Sequence, residues 1–152
     1  MQDFHNLRVW NEAHSLSIAI KRLATRISKG DYRSLRNQMV RSAESIADNI
    51  AEGCGAATNA EFARYLDMTI KSSSELENQI ERAHGYALMR SNERDRLTTQ
   101  VCDVRKMTWG LRKKVLSSEQ STDDDSRKTG RKARDEQRRT DDGKRERMTD
   151  DG

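Results

Sequence analysis

The sequence predicts an all-α protein: an up-down-up-down four-helix bundle over residues 1–116, then a disordered charged tail over 117–152. Three observations carry this. The 152 residues contain no proline, which turns favour and which costs a helix interior about 3 kcal/mol. Four separate stretches carry apolar residues at alternating spacings of three and four, the pattern of one-faced helices. Beyond Leu116, only Ala133 and Met148 are apolar.

The first pattern is Val9, Ala13, Leu16, Ile20, Leu23 and Ile27, with Gly30 as its stop. The second is Leu35, Met39, Ser42, Ile46 and Asn49, ended by Gly53 and Gly55. The third opens on Thr58-Asn59-Ala60-Glu61, a capping box in which hydroxyl and carboxylate satisfy orphan amides reciprocally. Its stripe is Phe62, Leu66, Thr69, Ser73, Leu76, Ile80, Ala83 and Ala87. The fourth takes Ser91 as N-cap and carries Leu97, Val101, Val104, Met107, Leu111 and Val115, slipping register near Met107.

Alternating steps of three and four suit helices crossing at about 20°, and short connections make neighbours antiparallel. A turn centred on Gly53–Ala57 sets Ser42 opposite Thr69, Leu35 opposite Leu76 and Arg36 level with Glu75. The small polar residues at mid-hairpin allow close approach of the second and third helices. The tail holds 10 basic and 10 acidic residues between 121 and 152. It cannot bury enough apolar surface to offset its ordering entropy.

Several chemistries are excluded or unsupported. No stretch approaches the roughly 18 apolar residues of a spanning helix. No basic-then-apolar segment opens the chain, so the expectation is a cytoplasmic protein with free thiols. Cys54 and Cys102 have no metal-ligand spacing, and neither has a base adjacent in sequence. Glu81-Arg82-Ala83-His84 matches half of a di-iron Glu-x-x-His pair, without a second copy. No Walker-type loop or Gly-x-Ser-x-Gly occurs. The expectation is a non-enzymatic protein with no cofactor and no metal. Trp10 and Trp109 read as anchors of packing or of an oligomer interface rather than as base-stacking platforms.

Several runs resemble one family. They are Phe4-His5-Asn6-Leu7-Arg8-Val9-Trp10-Asn11-Glu12-Ala13, Leu35-Arg36-Asn37-Gln38-Met39-Val40-Arg41-Ser42-Ala43 and Ser45-Ile46-Ala47-Asp48-Asn49-Ile50-Ala51-Glu52-Gly53. Glu61-Phe62-Ala63-Arg64-Tyr65-Leu66 and Ser74-Glu75-Leu76-Glu77-Asn78-Gln79-Ile80 follow. Residues 4–116 thus resemble the four-helix-bundle proteins encoded within intervening sequences of 23S ribosomal RNA genes. The resemblance implies a homopentameric barrel. It also implies kinship with the accessory proteins of diversity-generating retroelements, which bind nucleic acid and a reverse transcriptase. The chain departs from the family pattern at Val40-Arg41, where paired arginines are usual, and at Ala87, where a helix-ending glycine is usual.

Within the most specific run, Asn49 falls on the seam of the second helix, where a buried amide needs partners. Glu52 sits in a last turn whose dipole disfavours it, so a nearby cation or amide is expected. Gly53 is read as a left-handed stop. A structural role for this trio is favoured; a ligand role stays open.

Charge is unevenly spread. Residues 21–41 sum to +6, residues 42–89 to −5 and residues 90–114 to +5. In an up-down bundle the first and third turns share one end. Lys21, Arg22, Arg26, Lys29, Arg33, Arg36 and Arg41 would meet Arg90, Arg94 and Arg96 there. In a ring of five the patch would repeat, raising local potential and attracting phosphates. A solvated basic helix end is the plainer reading. With the resemblance, the expectation is an oligomer that binds RNA or DNA through salt-sensitive backbone contacts. The alternative is an accessory module docking a protein such as a reverse transcriptase, with its acidic 42–89 region or ring face as the contact.

Overall fold

A computed structural model of the chain describes residues 3–27 and 30–146, with side-chain surroundings through 118. Four α-helices follow a short 3-10 turn at Phe4–Asn6: α1 (Arg8–Arg26), α2 (Arg33–Cys54), α3 (Asn59–Gly85) and α4 (Ser91–Glu146). No strand occurs among the described residues. The chain divides into two units, Met1–Leu116 and Ser117–Gly152. The first unit holds a four-helix bundle.

The spacing patterns become the core. Leu23, Ile46, Leu76 and Val104, one from each helix, are each at most 2% exposed and share one apolar cluster. Burial of each such aliphatic side chain contributes about 1.5–3 kcal/mol. All six stripe residues of the first pattern are buried. In α2 the stripe ends on Ile50, which is fully buried, while Asn49 is only half-buried. In α4 the slip near Met107 resolves at Thr108. Thr108 is fully buried and donates its hydroxyl proton to the Val104 carbonyl at 2.8 Å, so a polar side chain fills the seam without an orphaned group.

The α2–α3 hairpin pivots later than expected. Ser45 hydrogen-bonds Ser72 at 3.0 Å, and Gly53 lies against Phe62 and Tyr65. Ser42 therefore sits near Glu75 along one groove rather than opposite Thr69. The cause is local: α2 stays helical through Cys54 and α3 starts only at Asn59, which moves the pivot towards Thr58. Between α3 and α4, ion pairs join Asp67 to Arg112, Glu77 to Arg105 and Glu81 to Arg94. Residue numbers rise along α3 as they fall along α4.

The helix ends show where local chemistry decides. Thr58 accepts from the Glu61 amide at 3.1 Å, while the Glu61 carboxylate accepts from the Ala57 amide at 3.0 Å. The capping box thus reaches back one residue beyond the cap. Ser91 is the first helical residue of α4, so the helix starts one position earlier than expected, and the Ser91 hydroxyl hydrogen-bonds the His84 ring at 3.1 Å. Helical backbone continues through 117–146, where composition predicted no ordered structure. This stretch has no proline to interrupt the backbone ladder.

Candidate nucleic-acid interface

α1 and α2 lie side by side with a cleft of about 640 Å³ between them. Lys21, Ala24 and Thr25 form one wall; Arg36, Val40 and Arg41 belong to the other. Each arginine follows an apolar seam residue by one or two positions, so helical periodicity turns it from the core to the cleft rim. Lys21 stands 3.6 Å from Glu44, with both side chains well exposed. Arg36 hydrogen-bonds the Asn37 side-chain oxygen at 3.3 Å. Among the described residues, neither Arg36 nor Arg41 has a carboxylate within ion-pair distance.

A second cleft, of about 430 Å³, is lined by Arg26, Arg90, Asn92, Glu93 and Arg96. Arg26 on α1 is paired with Glu93 on α4, and Tyr32 at the start of α2 packs on Tyr86 at the end of α3, with ring centroids 5.5 Å apart. These contacts bring the α1–α2 and α3–α4 connections to one end of the bundle. Glu93 takes up the Arg26 charge. Arg90 and Arg96 stay exposed without a described ion pair.

The remaining basic candidates differ. Arg22 and Arg33 are exposed, with no ion pair among the described residues. Arg94 is committed elsewhere: it is half-buried, 3.3 Å from Glu81 and 2.9 Å from Asp95. Lys29 lies outside the described residues.

The Asn49–Gly53 run has its contacts within α2 and against α3. The Asn49 side-chain amide donates to the Ser45 carbonyl at 2.7 Å and to the Ser45 hydroxyl at 2.9 Å. Glu52 is exposed to water, with no ion pair among the described residues, so solvent offsets the unfavourable dipole. Gly53 is no left-handed stop. It lies inside α2, and a Cβ there would stand 2.6 Å from a Phe62 ring carbon and 2.9 Å from the Tyr65 Cβ. Helix α2 ends instead on Gly55, at φ −88°. Among the described residues, positive φ occurs at Ala87, at 58°.

At this same end of α2, away from the basic clefts, Phe4, His5, Trp10 and His14 form a ring cluster, with Trp10 stacked on His14 at 5.0 Å. His5 donates its backbone amide to Asp3 and its ring hydrogen-bonds the same carboxylate. Those bonds, the ring first, hold the Asp3 carboxyl below its ordinary value. Burial, and secondarily the Asp3 charge, push the Cys54 thiol up. Trp109 is half-exposed, with the Arg112 guanidinium 5.6 Å over its ring. Among the described residues, no three His, Cys, Asp or Glu side chains gather as a metal site. No described helix is long and apolar enough to cross a membrane.

Sequence reasoning missed a polar groove of about 440 Å³ between α2 and α3. Gln38, Arg41, Ser42, Ser45, Glu75 and Gln79 contribute to its wall. The run of small polar seam residues was its only sequence signal.

An all-α bundle with a basic end defines the class. Residues 5–110 match the family of 23S rRNA-intervening sequence proteins, and the chain belongs to that family. It is also similar to a crystal structure of a protein of unknown function from the S23 ribosomal protein family of Bacteroides thetaiotaomicron. That match has a TM-score of 0.65 at 20% identity, covering 69% of this chain and 98% of the other. The likeness extends to the fold. No curated protein matches the chain.

Proposed function

We infer that the protein is a non-enzymatic, cytoplasmic nucleic-acid-binding bundle whose helices alternate up and down. It contacts the phosphate backbone through basic helix surface. The observation that carries this reading is the α1–α2 cleft. It gathers Lys21, Arg36 and Arg41, and the two arginines lack a described acidic partner. Unpaired guanidiniums beside a concave surface favour phosphate over a neutral ligand. Arg90 and Arg96 extend the basic surface at the neighbouring end. The bundle assembles as a homo-oligomer, a pentamer by family resemblance. Half-exposed Met68 and Trp109 on α3 and α4 support contact between copies.

The test is a salt titration of binding to single-stranded RNA and DNA. The plot of log affinity against log salt should fall by about 0.7 for each phosphate neutralised. Arg36→Gln with Arg41→Gln should flatten it by roughly 1.4 in total. A slope near zero, or no binding at about 50 mM salt, defeats the reading. Sedimentation of the full chain tests the assembly, and a monomer at micromolar concentration removes that part.

A further inference from the structure

The two clefts beside Arg41 differ in chemistry. Arg41 lines both the basic α1–α2 cleft and the polar α2–α3 groove. The first is walled by cations and apolar atoms. The second places Glu75 and Gln79 of α3 across from Gln38, Ser42 and Ser45 of α2. A carboxylate in its wall makes the groove a poor phosphate site and a good acceptor for hydroxyl donors.

Two further features bear on what would occupy it. Gln79 is only 8% exposed, and its side-chain oxygen has no hydrogen-bond partner among the described residues. A buried acceptor left unmade is costly, so a donor brought into the groove is favoured. The second feature is a hydroxyl proton. Ser45 accepts from Asn49 and shares one hydrogen bond with Ser72. Whichever serine donates in that bond, the other keeps its proton for a further acceptor. The groove therefore offers both acceptors and a donor.

We propose that the polar α2–α3 groove binds the ribose of an RNA strand whose phosphate is held by Arg41, reading the 2′-hydroxyl through Gln79, Glu75 and the Ser45–Ser72 pair. A 2′-hydroxyl is at once donor and acceptor, matching this set, and it is the group by which a protein tells RNA from DNA. The inference rests on the nucleic-acid reading above and adds a choice of strand that the basic surface cannot make. Phosphate contacts alone are alike for the two polymers.

The experiment compares fluorescein-labelled oligouridylate with its 2′-deoxy counterpart, which has the same bases, by anisotropy with the full chain at low salt. The wild-type protein should prefer the ribo strand by roughly tenfold, the scale of one or two well-placed hydrogen bonds. Gln79→Met keeps the side-chain length and removes the orphaned acceptor. It should bring the ratio close to one, as should Ser72→Ala. Thermal melting should show Gln79→Met at least as stable as wild type, so a lost ratio cannot be laid to unfolding. Equal affinity of the wild type for both strands overturns the proposal and leaves phosphate binding standing. A preference that survives both substitutions also overturns it. Binding of neither strand removes the proposal together with the reading beneath it.

Discussion

Gly53 and Phe62 are packed so tightly that a single added carbon has no room: a Cβ on Gly53 would stand 2.6 Å from Phe62 Cδ2 and 2.8 Å from Cε2. The Tyr65 Cβ on the next turn of α3 blocks a second direction at 2.9 Å. Both obstacles are on buried or half-buried parts of α3, so relief requires moving the helix rather than a loose side-chain tip. Gly53→Ala should destabilise the bundle by about 1–3 kcal/mol, the range for overpacking a close contact. Urea denaturation would measure it. A change near zero would mean that α2 and α3 separate at no cost.

Ala87 is the complementary case. It closes α3 with φ at 58°, in the left-handed region that disfavours a Cβ. The Ala87 amide donates to the His84 carbonyl at 2.9 Å and the Leu88 amide to the Ala83 carbonyl at 2.9 Å. This is the Schellman arrangement. Ala87→Gly keeps both bonds and removes the steric cost. It should stabilise the protein by about 1 kcal/mol. The midpoint of chemical denaturation would rise, and a fall would show that the unfolded chain's gain in freedom outweighs the relief.

These two residues mark what the sequence could and could not reveal. The apolar stripes were legible because burial repeats with the helix period, and Leu16, Ile20, Ile46, Leu66, Leu76 and Val101 are all fully buried. Gly53 was legible as special but for the wrong reason. A glycine near a helix end fits a left-handed stop and a close approach equally well, and only the α3 position separates them. The α2–α3 register was off because it depends on where each helix ends, the least determined part of a spacing pattern. The basic residues stood out in the sequence by charge. Their pairing did not: Arg94 turns to Glu81 and Arg26 to Glu93, choices set by side-chain geometry across helices.

That pairing separates two arginines close in sequence. Arg94 is half-buried between Glu81 and Asp95, whereas Arg96 is exposed on the second basic cleft. Arg94→Gln should lower stability by about 1 kcal/mol, near the upper end for such pairs, with little effect on the salt slope. Arg96→Gln should leave the melting temperature near wild type and reduce the slope by about 0.7 if strands cross that cleft. Reversed results would show that Arg94 leaves its carboxylates to meet a ligand.

Cys54 gives a chemical probe of the far end of the bundle. Its thiol is buried at the end of α2, and burial first, the Asp3 carboxylate second, raise its pKa. The thiolate is the nucleophile, so both effects slow alkylation at mildly alkaline pH. The sign for stability follows from the same shift. The unfolded thiol ionises first as pH rises, so the folded state loses relative stability above the ordinary thiol range. Iodoacetamide should modify Cys54 far more slowly in the native protein than in urea, with Cys102 as internal comparison by mass spectrometry. Asp3→Asn removes the nearby charge but leaves burial. It should speed the native reaction only slightly, and a large acceleration would mean that the carboxylate, not desolvation, controls the thiol.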